Sequence, residues 1–161
     1  MTRRADRFGA RTCGIAMLTC LLAAAATAIG QSPARTTWQA LDRRAEELYV
    51  KGTLPEAIEA GRLALSAATT PAERGQSLGR LGMLLNASGQ NDEAEQHLRA
   101  SLRIREETFG GNSLEYAEAA HDLAVLARDT GRSDEAATLA ARAVGIRRRL
   151  PSTDPRLAQA L

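Results

Sequence analysis

This sequence of 161 residues contains only two histidines and two cysteines, the side chains that most often bind transition metals. The histidines His97 and His121 are predicted on different helices, and neither has a paired histidine or a carboxylate cluster at metal-ligand spacing. The cysteines Cys13 and Cys20 both lie in an apolar run near the N-terminus. We therefore expect no metal site, no catalytic site and no bound cofactor.

Glycine and arginine clusters offer little more chemistry. The sequence contains no G-x-S-x-G nucleophile turn and no glycine loop of the kind that binds phosphate. The Gly110-Gly111 pair is expected to let the chain turn between repeats. The chain contains one basic run, Arg147-Arg148-Arg149, which could bind an anionic partner or a lipid headgroup. We interpret it instead as the C-terminus of a helix, where the helix dipole stabilises positive charge.

The N-terminal segment has the pattern of an export signal. Residues 1–12 are basic and polar, residues 13–29 are uncharged and mostly apolar, and this run ends in the small-residue pattern Ala26-Thr27-Ala28. These are the three parts of a secretory signal peptide. We predict a signal peptide over residues 1–28, with cleavage after residue 30 as an alternative, followed by a linker over residues 29–36.

A membrane anchor formed by residues 13–29 is the alternative interpretation of this segment. Its roughly 17 residues are at the lower limit for crossing about 30 Å of hydrocarbon, and its alanines make it only weakly apolar. We favour cleavage, which predicts an exported protein, periplasmic or secreted. Cleavage would also remove both cysteines, and with them any disulfide or thiol chemistry.

The rest of the chain is nearly neutral and helical in composition. Four of the 21 basic residues and one of the 19 acidic residues precede residue 31, so the remainder has a formal charge of about −1. That balance gives no indication of the clustered basic surface with which proteins bind nucleic acid. Aromatic residues make up only 3% of the chain, and no segment alternates apolar and polar residues with a period of two. We expect an all-α protein with a core of leucine and alanine.

An internal repeat organises this helical part. Residues 89–95 read GQNDEAE and residues 131–137 read GRSDEAA, an offset of 42 positions. A weaker copy, GTLPEAI, occupies residues 52–58, which is 37 positions before the next. Apolar residues at helical spacing precede each glycine. Such self-similarity is typical of stacked helical hairpins, and about three hairpins are needed to bury a continuous core.

Each copy is expected to form two helices around its glycine. The glycine would end the first helix, because it adopts the left-handed backbone conformation without a Cβ clash. Asp92 and Asp134 are predicted to cap the second helices, with Glu93 and Glu135 in the first turn. Small residues just inside the second helix would let the paired helices touch: Ala57, Ala94 and Ala136.

The segments LGRLG at residues 78–82 and AHDLA at residues 120–124, each followed by Gly and DEA, resemble hairpins of the tetratricopeptide repeat (TPR) class. The 42-residue offset is similar to that of its kinesin-light-chain-like subgroup, as is the stretch from Ile104 to Ala117. The resemblance implies an α-solenoid of about three hairpins over residues 37–161. The implied repeats are 37–70, 72–111 and 113–152, with a partial fourth at 153–161 that is a cap, a self-association surface or the point at which a longer array is truncated.

In TPR folds the first helix of each hairpin lines an inner groove that holds a peptide or protein segment. Carried over by motif, the resemblance assigns groove positions to all three hairpins. These are Asp42, Glu46, Tyr49, Gly79, Arg80, Met83, Asn86, His121, Asp122, Val125 and Arg128.

The resemblance therefore implies a non-enzymatic module that binds a peptide or protein partner and no nucleic acid. Membrane contact is expected only if the N-terminal segment is retained. Two alternatives stay open: a regulatory or scaffold part at the N-terminus of a larger effector protein, and a membrane-tethered assembly factor.

Overall fold

The computed structural model describes residues 33–150, and these form helices without any strand. The helices are α1 (Pro33–Val50), α2 (Leu54–Ala67), α3 (Pro71–Ala87), α4 (Asn91–Phe109), α5 (Leu114–Asp129) and α6 (Ser133–Arg149). The all-α expectation is confirmed. The predicted signal peptide over residues 1–28, the start of the predicted linker and the partial fourth hairpin at 153–161 lie outside the described residues.

The helices pack as three consecutive hairpins. α1 packs along α2, α3 along α4 and α5 along α6, while α2 with α3 and α4 with α5 join one hairpin to the next. The first helices also meet each other, α1 against α3 and α3 against α5. This is the predicted solenoid. None of the described helices combines the length and the apolar character needed to cross a membrane.

A repeated glycine turn closes each hairpin. Gly52, Gly89 and Gly131 all have a φ of 79°, the left-handed region that glycine adopts without steric cost. After α3, the amide of Gly89 donates to the carbonyl of Asn86, and the amide of Gln90 donates to the carbonyl of Leu85, both at 2.9 Å. This is the Schellman arrangement. The prediction that glycine ends each first helix is confirmed.

The predicted aspartate caps are wrong. The N-cap positions of α4 and α6 are Gln90 and Arg132, and neither side chain makes a capping hydrogen bond. The turn is so short that one residue both closes the previous helix through its amide and begins the next through its carbonyl, as Gln90 does with Leu85 and Ala94. Asp92 and Asp134 therefore lie inside the first turn, where the helix dipole still stabilises their negative charge.

The core is made mainly of leucine and alanine, as the composition predicted. Leu81, Leu85, Leu98 and Leu126 are fully buried, and Ala57 and Ala94 are completely inaccessible. The expected contact through small residues is thus seen in the first two hairpins, while Ala136 in the third is only half-buried.

Polar contacts join neighbouring hairpins. The indole of the buried Trp38 on α1 donates a hydrogen bond of 2.8 Å to the hydroxyl of Ser77 on α3. Among the second helices, Arg62 on α2 pairs with Glu93 on α4 at 3.1 Å, and Glu95 on α4 pairs with Arg132 on α6 at 2.7 Å. These contacts fix how one hairpin sits on the next.

Candidate functional site

The first helices of the three hairpins surround a hollow of about 410 Å³. This volume lies in the lower part of the range for ligand pockets, roughly 300–1,000 Å³. Its lining mixes charged, polar and apolar side chains. They are Glu46, Tyr49, Gln76, Arg80, Met83, Leu84, Arg105, Glu118 and Asp122.

Five residues that the sequence assigned to the groove line this hollow together. They are Glu46, Tyr49, Arg80, Met83 and Asp122. They come from α1, α3 and α5, which agrees with first helices facing one side of a solenoid. Tyr49 is half-exposed and Met83 half-buried, so an aromatic ring and a flexible thioether are accessible to a ligand.

Asp42 lies behind the lining and holds two hairpins together. The Nε atom of Arg80 donates to its Oδ1 at 2.7 Å, and the amide of Gln76 donates to its Oδ2 at 2.9 Å. Only 6% of Asp42 is exposed. Arg80 also approaches Glu46 at 3.5 Å. Arg80 and Asp42 thus join α3 to α1, so Arg80 has a structural partner before any ligand arrives.

Several other predicted groove positions do not line the hollow. Gly79 is buried, and a Cβ built there would lie 3.1 Å from the hydroxyl oxygen of Ser101 on α4. Asn86 and Arg128 both donate to the carboxylate of Asp129, at 2.9 Å each for the shortest bonds. Val125 is half-buried.

His121 is exposed on α5, the helix that supplies Asp122 to the hollow. Partial desolvation lowers the pKa of its imidazole, and the positive charges of Arg147 and Arg128 lower it further. His121 is therefore largely neutral near pH 7.

Arg105 is the functional candidate that sequence reasoning missed. It belongs to α4, a second helix, yet it lines the hollow between the first helices. Its Nη1 atom donates to the backbone carbonyl of Glu115 and to the carboxylate of Glu118, at 3.0 Å in both cases. Only 8% of Arg105 is exposed, so this is a buried guanidinium with a dedicated partner.

Two glycines one helical turn apart on α3 give Arg105 its path. A Cβ at Gly75 would lie 3.2 Å from Cγ of Arg105, and a Cβ at Gly79 would lie 3.5 Å from its Nη2 atom. Glycine inside a helix costs roughly 1 kcal/mol relative to alanine, so a pair at this spacing signals a close approach. The glycine pair is visible in the sequence, and it marks the place where the side chain of Arg105 passes α3.

Asp122 is the carboxylate in the hollow that has no hydrogen-bond or ion-pair partner among residues 33–150. Burial raises its pKa to about 6; Arg105, Arg147 and Arg80 oppose that rise and Glu118 adds to it. No described residue makes a hydrogen bond or ion pair with its side chain. Asp122 is thus a half-buried, partly desolvated acid that faces the hollow from α5.

Within residues 33–150, no group of three or more histidine, cysteine, aspartate or glutamate residues is arranged to hold a metal ion. The run Arg147-Arg148-Arg149 forms the last turn of α6, where the helix dipole stabilises its positive charges.

Comparison with known proteins identifies the repeats. Residues 73–149 match the model of the tetratricopeptide repeat family. No protein with a curated description matches the chain.

Two solved structures share the fold. BtubC (BKLC) from P. vanneervenii aligns with a TM-score of 0.69 and 23% identity over 81% of this chain and 54% of its own. A protein from Podosopora anserina, assigned as a kinesin light chain with nearly identical TPR-like repeats, aligns with a TM-score of 0.66 and 22% identity over 81% of this chain and 64% of its own. This chain therefore spans less than two thirds of the length of either.

TPR repeats generally mediate protein–protein interaction. Three observations agree here: the family match, the solenoid of three hairpins, and the glycine turn that recurs at the expected spacing. Residues 73–149 are tetratricopeptide repeats, and the described array as a whole has the kinesin-light-chain-like form of that fold, as the sequence predicted.

Proposed function

We propose that this protein is a non-enzymatic interaction module and that the hollow between α1, α3 and α5 holds an extended segment of a protein partner. The observation that carries the proposal is the meeting of five groove residues in one hollow. Their positions follow from the repeat motif alone, and first helices from all three hairpins contribute.

The lining suits a peptide. Tyr49 and Met83 offer accessible apolar surface, and aromatic side chains are enriched among residues that dominate binding energy. The amide of Gln76 and the carboxylates at the rim supply hydrogen-bonding groups for an extended backbone. The hollow is open to solvent, as the binding of an extended chain requires.

Site-specific photocrosslinking tests this proposal directly. Benzoylphenylalanine replaces Tyr49 or Met83 in the protein as its own cell makes it, and a matched variant carries the same group at Gln96, exposed on α4 outside the lining. We expect both groove positions to crosslink to one partner, within one continuous segment of that partner, and Gln96 not to do so. Adducts at Gln96 with none at Tyr49 or Met83 would move the interaction to the outer surface.

We also propose that the array works after export, in the periplasm or outside the cell. The support is the order of basic, apolar and small-residue parts in residues 1–30. Intact-mass analysis of the exported protein tests it: we expect a mature chain that begins at residue 29 or 31. A mass that retains residues 1–28 would contradict cleavage and favour a membrane-tethered assembly factor.

A further inference from the structure

The hollow contains more negative than positive charge. Four carboxylates lie in or directly behind it, from Asp42, Glu46, Glu118 and Asp122, and two guanidinium groups, from Arg80 and Arg105, oppose them. Arg80 is paired with Asp42 at 2.7 Å, and Arg105 with Glu118 at 3.0 Å. The charges within each of these two pairs cancel, so Glu46 and Asp122 carry the excess charge.

The two excess carboxylates differ in depth. The side chain of Glu46 is 61% exposed and lies 3.5 Å from Arg80, so water and a distant cation already stabilise it. Asp122 lies deeper, and Arg105 is committed to Glu118 and to the carbonyl of Glu115. A partly desolvated carboxylate to which no described residue donates a hydrogen bond is destabilised, and a cation that enters the site reduces that destabilisation.

We propose that the partner segment inserts a positively charged side chain, lysine or arginine, into the hollow, where it pairs with the carboxylate of Asp122. The inference rests on the proposed function, because it assumes a bound segment, and it specifies the charge of that segment. Met83, Leu84 and Tyr49 line the same hollow and would contact the apolar stem of such a side chain, while its charged end reaches the acid.

Binding should then depend on pH. With a pKa of about 6, Asp122 is ionised at pH 7.5 and mostly protonated at pH 5, so affinity for a cation is present above pH 6 and lost below it. The charged groups that act on Asp122 are Arg80 from α3, Arg105 from α4, Glu118 from α5 and Arg147 from α6.

His121 adjoins Asp122 in sequence and becomes protonated as the pH falls, which would also repel a cation. A pH series on His121→Gln separates the two effects, because this variant should keep the loss of binding near pH 6 if Asp122 causes it.

The test uses fluorescein-labelled hexalysine as the probe, with fluorescence anisotropy as the readout. We expect Asp122→Asn to weaken hexalysine binding by about tenfold at pH 7.5, since it removes the charge that the cation pairs with. Asp92→Asn is the matched control: it makes the same change of shape and charge at an exposed position on α4. It should alter binding by less than about twofold. Circular dichroism confirms that both variants are folded.

Several results would overturn the inference. Equal losses of affinity in Asp122→Asn and Asp92→Asn would show that hexalysine recognises overall charge. Tighter binding of hexaglutamate than of hexalysine would show that the hollow prefers anions. If Asp122→Asn does not fold, unchanged affinity of the original protein between pH 7.5 and pH 5 would have the same meaning. Crosslinking at Tyr49 and Met83 combined with any of these results would remove the charge assignment and leave the groove proposal standing.

Discussion

Gly82 illustrates how a single hydrogen atom decides packing at the residue scale. It lies on α3 where this helix meets Leu98 of α4. A Cβ at this position would lie 2.6 Å from Cγ of Leu98 and 3.2 Å from the backbone oxygen of Ala94. Leu98 is fully buried, so it has no room to move away. The glycine is required here by close approach of the two helices.

We therefore expect Gly82→Ala to destabilise the protein, although alanine is the better helix former. Overpacking typically costs about 1–3 kcal/mol and the gain in helix propensity is about 1 kcal/mol, so a net loss of up to about 2 kcal/mol is expected. Urea unfolding followed by circular dichroism measures it. Gly145→Ala on α6 is the control, since a Cβ added there would have no atom within 4 Å, and it should be neutral or stabilising. Equal effects would show that propensity alone governs both sites.

At the scale of elements, the same sequence pattern begins two helices in different ways. Thr70 and Glu73 form a capping box at the start of α3, in which the hydroxyl of Thr70 accepts from the amide of Glu73. The Glu73 carboxylate in turn accepts from the amides of Thr69 and Thr70, at 2.9 and 3.0 Å. Thr53 and Glu56 have the same spacing at the start of α2, but Thr53 makes no cap there.

The tight turn explains the difference. The hydroxyl of Thr53 donates to the carbonyl of Leu48 at 3.0 Å, so it is directed toward the end of α1, and no amide of α2 donates to it. Thr70 follows a looser connection, with an extended backbone at φ −111° and ψ 155°. A sequence pattern alone does not show which side of a turn will use a hydroxyl.

Glu73→Gln should lower the free energy of unfolding by about 1 kcal/mol at pH 7. Hydrogen bonds from the backbone and hydroxyl of Thr69, together with those of Thr70, lower the pKa of Glu73 in the folded state, although burial opposes them. The stabilisation is therefore complete above the pKa of an unfolded glutamate, about 4.3, and is lost as the pH falls through the lower folded value.

The difference between the original protein and Glu73→Gln should thus narrow when urea unfolding is repeated near pH 3.5. Glu56→Gln, at the matching position of α2, should stay within about 0.5 kcal/mol of the original at both pH values. If the difference in the free energy of unfolding between the original protein and Glu73→Gln does not change with pH, the carboxylate contributes through its shape and not through its charge.

For the whole molecule, the repeat determined what could be predicted. The recurring glycine and the leucines at helical spacing gave the hairpins and their order, because each of these features acts locally. The aspartate caps failed because the turns are tighter than a separate capping residue requires. Five of the residues that the motif assigned line the hollow, but Arg105 was not among those assigned, since the motif considers only first helices and Arg105 enters from a second helix.

The path of Arg105 has a consequence for protein engineering. Transplanting the groove to another array by copying the exposed positions of α1, α3 and α5 would omit the guanidinium that neutralises Glu118. It would also fail if the recipient carried alanine where Gly75 and Gly79 leave space for that side chain. The unit that must be transferred is the whole hairpin formed by α3 and α4, together with the start of α5.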